Sequence, residues 1–183
     1  GIAVDAFCGV GGNAIQLAMT CERVVACDID PVRLAYARHN AELYGVGDRI
    51  EWVLGNFFSL LPTLGAAADV VFLSPPWGGP EYLNDGTFDL RNIRIERPGG
   101  GDNWESGYVD GFDLITEVAK YCPNTAYLLP RNTDPLQIKE AAATLPLNGS
   151  NGGGGGGGEG GEGAVAAGGS SSAVFEVEHN YLN

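Results

Sequence analysis

The sequence contains no apolar run approaching the roughly 18–20 residues that a membrane-spanning helix needs, so no membrane partner is expected. It is poor in basic side chains: 10 Lys and Arg stand against 23 Asp and Glu, a formal net charge of −13. That balance excludes a protein that holds DNA or a long RNA tract mainly by attraction to phosphates. It leaves room for a pocket that reads one nucleotide. Cysteine is sparse, with 4 residues, at Cys8, Cys21, Cys27 and Cys122. No CxxC spacing and no histidine cluster accompany them. The expectation is reduced, mostly buried thiols of an intracellular protein, with no metal. No signal-peptide pattern precedes the opening GIAVDAFCGVGG, which reads as a buried strand running into a glycine turn. A core trimmed at both ends from a longer protein is expected.

What is present suits one α/β domain over the whole of the 183 residues, with 44% hydrophobic side chains to build a core. Short apolar runs alternate with amphipathic stretches. Ile2–Phe7 reads as a strand and Gly11–Met19 as the helix after it. Arg23–Cys27 is a second strand. Asp30 followed by Pro31 is a helix start, and that helix is expected to reach about Tyr44, with Leu34, Ala35, Ala41 and Tyr44 near one face and Gly45 as its stop. Ile50–Leu54, Asp69–Leu73 and Thr125–Leu129 read as further strands, Gly111–Tyr121 and Pro135–Ala143 as further helices. Glu81–Asp110 reads as an irregular loop, in which Arg91, Arg94 and Arg97 fit a solvated loop and a phosphate-facing role equally well. Asn148–Ser172 is a glycine-rich insertion expected to be disordered, and Ala173–Glu178 resumes strand character. The alternation implies a doubly wound, mostly parallel sheet of Rossmann-like type.

The glycine turn carries the first chemical signal. Asp5-Ala6-Phe7-Cys8-Gly9-Val10-Gly11-Gly12-Asn13 lies between a strand and a helix. Glycines there let backbone pass close to a ligand, and the helix start offers free N–H groups. Asp28 ends the next strand, where an acid can accept from both hydroxyls of a ribose. The turn lacks the GxGxxG spacing that suits a pyrophosphate. Asp5, inside the strand end, is placed to face a methionine ammonium. The cofactor reading is therefore S-adenosyl-L-methionine, with Asp5, Gly9, Gly11 and Asp28 as its contacts. Asn56 is the expected place for a contact to the adenine amine and Phe57 for packing on the ring; a turn residue and a core aromatic fit those two positions nearly as well.

Ser74-Pro75-Pro76-Trp77 carries the second signal. It falls at the end of the fourth expected strand, where a doubly wound sheet opens its crevice. Two prolines stiffen the turn and remove two N–H donors. Carbonyls and a serine hydroxyl remain to accept from an –NH₂ group, and Trp77 offers a flat face to a base. Such a turn holds a planar amine in line with a methyl donor, so positioning carries much of the catalysis. Ser74, Pro75 and Trp77 are the expected catalytic set.

Taken together, DAFCGVGGNAIQLA, VVACDIDPVRLAYARHNAELYG and DVVFLSPPWGGPEY resemble the trimethylguanosine synthase family, the RNA cap hypermethylases, and PRNTD after the fifth expected strand fits as well. The resemblance implies a class I methyltransferase fold and two methyl transfers to N2 of a 7-methylguanosine cap on small nuclear and nucleolar RNAs. It implies a nuclear enzyme whose catalytic core is a monomer. It adds Phe7 to the cofactor contacts. Trp77 would stack on the methylated guanine, a cationic base that indole attracts. Ser74 and Pro75 would lie near the amine, Asn40 would help read the base edge, and Tyr82 and Arg131 would approach the cap phosphates. The chain departs from the family pattern at Asn56, where many relatives have Asp, and in a longer Asp89–Gly111 loop. The resemblance also implies an N-terminal helical region that relatives use to close the site, expected to lie outside this sequence. Two other readings of the same motifs are a guanine-N2 or adenine-N6 methyltransferase for internal rRNA or tRNA positions, and a non-catalytic cap-binding module.

Overall fold

The computed structural model describes residues 1–78, 86–97 and 107–145. The Asn148–Ser172 insertion, the Ala173–Glu178 strand and Tyr82 lie outside them. Five strands form one parallel sheet: β1 (Ile2–Asp5), β2 (Arg23–Asp28), β3 (Ile50–Leu54), β4 (Val70–Leu73) and β7 (Thr125–Tyr127), in the order β3-β2-β1-β4-β7. The helices are α1 (Gly12–Thr20), α2 (Pro31–Leu43), α3 (Phe57–Ala67), α4 (Gly111–Ala119) and α5 (Pro135–Ala143). The chain winds outward from β1 through β2 to β3, then returns to β4 on the other side of β1. Winding therefore reverses between β1 and β4, where a sheet of this kind opens its binding crevice.

Both faces of the sheet are covered, as a parallel sheet requires. Side chains alternate along β2. Val24 and Ala26 face a pack with Ala14, Ile15 and Ala18 of α1 and Leu34 and Ala41 of α2. Val25 and Cys27 face the larger pack, with Phe57 and Leu61 of α3 and Leu114 and Val118 of α4. Burying each of the large side chains contributes roughly 2 kcal/mol.

Helix starts follow from sequence in four cases. Asp30 caps α2 by accepting from the N–H groups of Val32 (2.8 Å) and Arg33 (3.3 Å), with Pro31 at the first position. Asn56, Asp110 and Asp134 cap α3, α4 and α5 in the same way. Only α1, among the described helices, starts without a side-chain cap; its N-cap is Gly11.

The structure corrects the expected elements in four places. The α2 core face is Leu34, Ala37 and Ala41; Ala35 and Tyr44 are exposed, because the true period brings Ala37 inward. The segment after Asn56 is a helix, α3, despite Pro62 in its interior. Its exposed face is Ser59, Pro62, Thr63 and Ala66, and the proline there reads from sequence as a helix breaker. Gly65 lets it approach α4's end closely: a Cβ there would stand 2.9 Å from the Tyr121 Cβ. The Glu81–Asp110 stretch is not irregular throughout. It holds a short 3-10 turn at Leu90–Asn92 and an antiparallel hairpin, β5 (Arg94–Glu96) with β6 (Tyr108–Asp110). Each strand buries a single residue, Ile95 or Val109, too few to show alternation in sequence. Finally β7 stops at Tyr127, although the Leu128 N–H still reaches the Leu73 carbonyl at 2.9 Å.

Two glycines of the first turn differ in why they are glycine. Gly9 (φ 54°) and Gly11 (φ 89°) both hold left-handed backbone. A Cβ on Gly9 would meet nothing within 4 Å, whereas one on Gly11 would stand 3.0 Å from the Ala37 Cβ and 3.3 Å from the Trp52 ring. Gly9→Ala should cost about 1 kcal/mol, and Gly11→Ala about 3 kcal/mol because steric overlap adds to backbone strain. Urea denaturation of the two variants measures the difference; equal costs would show that α1 and α2 separate freely at this contact.

Candidate active site

The glycine turn and the Ser74-Pro75-Pro76-Trp77 turn meet at the switch point. The register pairs Asp5 with Phe72, and the Ala6 N–H donates to the Phe72 carbonyl at 3.0 Å. The two chains thus leave the sheet side by side, one into the glycines and the other into Ser74. Cross-links then join the turns. The Ser74 hydroxyl donates to the Phe7 carbonyl (3.4 Å), and Asn13 Nδ2 on α1 donates to Ser74 Oγ (3.4 Å).

Asp28 organises the turn from the β2 side. Its Oδ2 accepts from the Gly9 N–H (2.8 Å) and its Oδ1 from the Asp30 N–H (2.9 Å). Both carboxylate oxygens therefore already hold backbone, with a lone pair left on each for a ligand hydroxyl.

Asp5 is fully buried at the end of β1. Its Oδ1 is 3.4 Å from the Phe7 N–H, and its Oδ2 makes no hydrogen bond. Burial raises its pKa to about 7; the Phe7 and Ala14 N–H groups offset part of this, and the charge of Asp28 adds to it. One buried oxygen of this carboxyl, Oδ2, is thus left without a hydrogen bond inside the protein, which leaves it able to accept from an N–H donor. The thiols of Cys8 and Cys27 are also pushed up by burial and by these two acids, Cys27 to about 12, so both stay protonated and unreactive.

The other expected contacts fare unevenly. Phe7 is half-buried and meets Phe57 edge-on, with ring centroids 5.6 Å apart. Phe57 is only 2% exposed, so it is a core aromatic behind Phe7 and not an open face for adenine. The Asn56 carbonyl oxygen, expected to accept from adenine, accepts from the Phe58 N–H (3.0 Å) as the α3 cap, which uses one of its two lone pairs. Its amide donates to the Glu96 carbonyl (2.9 Å), which fastens the β5–β6 hairpin beside the site. Asn40 has one of its two N–H donors engaged. Its Nδ2 donates to the Val10 carbonyl (2.9 Å), tying α2 to the glycine turn. In each case a backbone group nearby satisfies the amide first.

Pro75 is buried and Trp77 half-buried against the larger core pack, so the indole is part wall and part surface. Arg131 is exposed in the turn after β7, held by the Thr133 hydroxyl on the Pro130 carbonyl (2.6 Å) and by the Phe88 N–H on the Asn132 carbonyl (2.8 Å). Of the arginine group, Arg91 lies over the Phe112 ring at 4.7 Å and Arg97 faces Glu117 at 3.8 Å. Sequence reasoning missed Asn13, although it quoted that residue within the glycine turn. The available signal was an amide in the first turn of a helix that starts without a cap.

This arrangement sets a buried carboxyl beside a proline-stiffened turn at the sheet's switch point. The sequence profile of the RNA cap guanine-N2 methyltransferases matches residues 1–151. The chain belongs to that family. It is similar to the trimethylguanosine synthase of Schizosaccharomyces pombe, 37% identical over 147 residues, which are 78% of this chain and 54% of that protein. It is similar to the trimethylguanosine synthase of Saccharomyces cerevisiae at 36% over 141 residues, 75% of this chain and 41% of that one. The chain thus spans about half the length of these relatives. Among solved structures, an RNA methyltransferase from Salinibacter ruber in complex with S-adenosyl-L-homocysteine is 34% identical, over 40% of this chain and 48% of that chain, with a TM-score of 0.35.

The Asp5 geometry sets a pH dependence. Its folded pKa is raised from 3.8 to about 7, so the folded state holds the proton more tightly than the unfolded one. Stability from this residue is full below about pH 4 and is lost as pH rises through 7, by about 4 kcal/mol at most. Asp5→Asn should remove that slope and be more stable than wild type at pH 8. Urea titrations at pH 5 and pH 8 test this; parallel losses at both pH values would show that Asp5 is ionised and solvated throughout.

Proposed function

We propose that this chain is the catalytic core of an enzyme that transfers methyl groups from S-adenosyl-L-methionine to the exocyclic N2 of a 7-methylguanosine RNA cap, giving 2,2,7-trimethylguanosine on small nuclear and nucleolar RNAs. The observation that carries this is the unpartnered Asp5 oxygen at the same switch point as the Ser74 turn. Family membership supports it.

The residues present fit the cofactor. Asp5 Oδ2 suits the methionine ammonium, and that charge would draw the carboxyl into its ionised form. Gly9 and Gly12 leave open space where a side chain would stand. The uncapped start of α1 offers N–H groups, and Asp28 keeps a lone pair on each oxygen for ribose hydroxyls. When bound, S-adenosylmethionine supplies an electrophilic methyl carbon. The chain's own part is to hold and to exclude. Ser74 and the donor-free prolines accept from the amine N–H groups, leaving the nitrogen lone pair directed at the crevice. The nitrogen loses one proton as the new bond forms, and a solvent-facing turn lets water collect it. Trp77 stacks on the base, and the positive charge left by N7 methylation strengthens that contact by about 1–2 kcal/mol. Arg131, exposed beyond β7, is the side chain we assign to the cap phosphates, on the family resemblance.

Labelled cofactor, the full-length protein, and guanosine caps with or without N7 methylation test this reading. Label should enter the 7-methylguanosine cap at least about tenfold faster, and Trp77→Phe should narrow that ratio while keeping the core packed. Equal labelling of both caps would remove the cation–π argument. Labelling of uncapped transcripts instead would move the substrate to internal rRNA or tRNA positions.

A further inference from the structure

Ser74 stands where its hydroxyl meets two partners, the Phe7 carbonyl and the Asn13 amide. A serine oxygen carries one proton and two lone pairs. The Phe7 carbonyl, 3.4 Å away, can only accept, so it takes the proton. Asn13 also lies 3.4 Å from Oγ, and with the only proton committed elsewhere the facing atom must be a donor, which fixes the amide with Nδ2 inward. One lone pair of Oγ is then used by Asn13, and one remains. Each contact is long and individually weak. Together they favour the rotor in which the hydroxyl donates to Phe7 and turns a lone pair to the crevice.

The geometry points to Asn13 as a positioning residue: with the Phe7 carbonyl it holds the Ser74 hydroxyl so that Oγ presents a lone pair, not a proton, to the acceptor group. This rests on the proposed amine acceptor and adds a source of selectivity to it. An exocyclic –NH₂ donates and is held by such an oxygen; a carbonyl or ring nitrogen accepts and is repelled by it. A free serine hydroxyl would welcome both. Asn13 also couples the two halves of the site, because it belongs to α1, the helix that starts at the glycine turn, while the group it orients belongs to the turn after β4.

Four forms of the full-length protein test the inference: wild type, Asn13→Ala, Asn13→Asp and Ser74→Ala, with the 7-methylguanosine cap analogue. Asn13→Ala should lower kcat about tenfold and Asn13→Asp about a hundredfold, since the introduced carboxylate takes the hydroxyl proton from Phe7 and reorients Oγ. The cofactor KM should change by less than about threefold, and in a Ser74→Ala background Asn13→Asp should cost less than about twofold further. Equal losses in the two Asn13 variants, full additivity with Ser74→Ala, or a loss confined to cofactor KM would each overturn the inference. Nitrogen-15 spectra read the bond without turnover: Ser74→Ala should shift the Asn13 side-chain amide, and an unmoved resonance overturns the inference. A wild type that labels no cap overturns the proposed substrate, and the amide spectra then decide the Asn13 assignment by themselves.

Discussion

The grip of Asp28 on the Gly9 and Asp30 N–H groups, at 2.8 and 2.9 Å, is the contact on which the site depends. One carboxylate closes the glycine turn against the end of β2 and starts the approach to α2. It allows Gly9 and Gly11 to hold left-handed backbone next to a sheet edge. With the turn held, α1 starts at a fixed place without a cap of its own. Asn40 repeats the restraint from α2 by donating to the Val10 carbonyl. An acid that looks from sequence like a ligand contact is first a structural clamp, with its ligand capacity in what is left over.

The sheet supplies the second constraint. Because the winding reverses between β1 and β4, Asp5 and Ser74 emerge as neighbours although 69 positions separate them. No local signal encodes that proximity. It follows from strand order, which the βαβ alternation implied, and from the register that sets Asp5 beside Phe72. The cross-links among Phe7, Ser74 and Asn13 then make one site of two turns.

Legibility in the sequence followed the strength of the local signal. Asp30-Pro31 announces α2 because cap and first-turn proline act within a few residues. The DAFCGVGGN and SPPW segments were readable because glycine and proline restrict backbone in ways few other residues can. The α3 helix was hidden by Pro62 and Gly65, which argue against a helix although Phe57, Leu61 and Gly65 share its buried face. Asn56 shows the general difficulty with amides. Its type suited an adenine contact, but the nearest unsatisfied groups were the Phe58 N–H and the Glu96 carbonyl, and it serves those. Asn13 is the converse: a residue with no assigned role whose nearest partner is the reactive turn. Side-chain amides take the partner that folding brings first, and single-sequence reading cannot rank those partners.

Charge gives these features a common logic. The chain carries a net −13, and two of its acids, Asp5 and Asp28, stand close enough that one raises the pKa of the other. Such crowding is costly unless a cation arrives. Both proposed guests are cations: a cofactor with an ammonium and a sulfonium, and a base made positive by N7 methylation. An acidic protein with few arginines binds long RNA weakly, and Arg91 and Arg97 lie against Phe112 and Glu117. Under the proposed function, an acidic surface favours a guest that is cationic where it is gripped, so affinity is expected to come from the positive base and not from contacts along an RNA backbone.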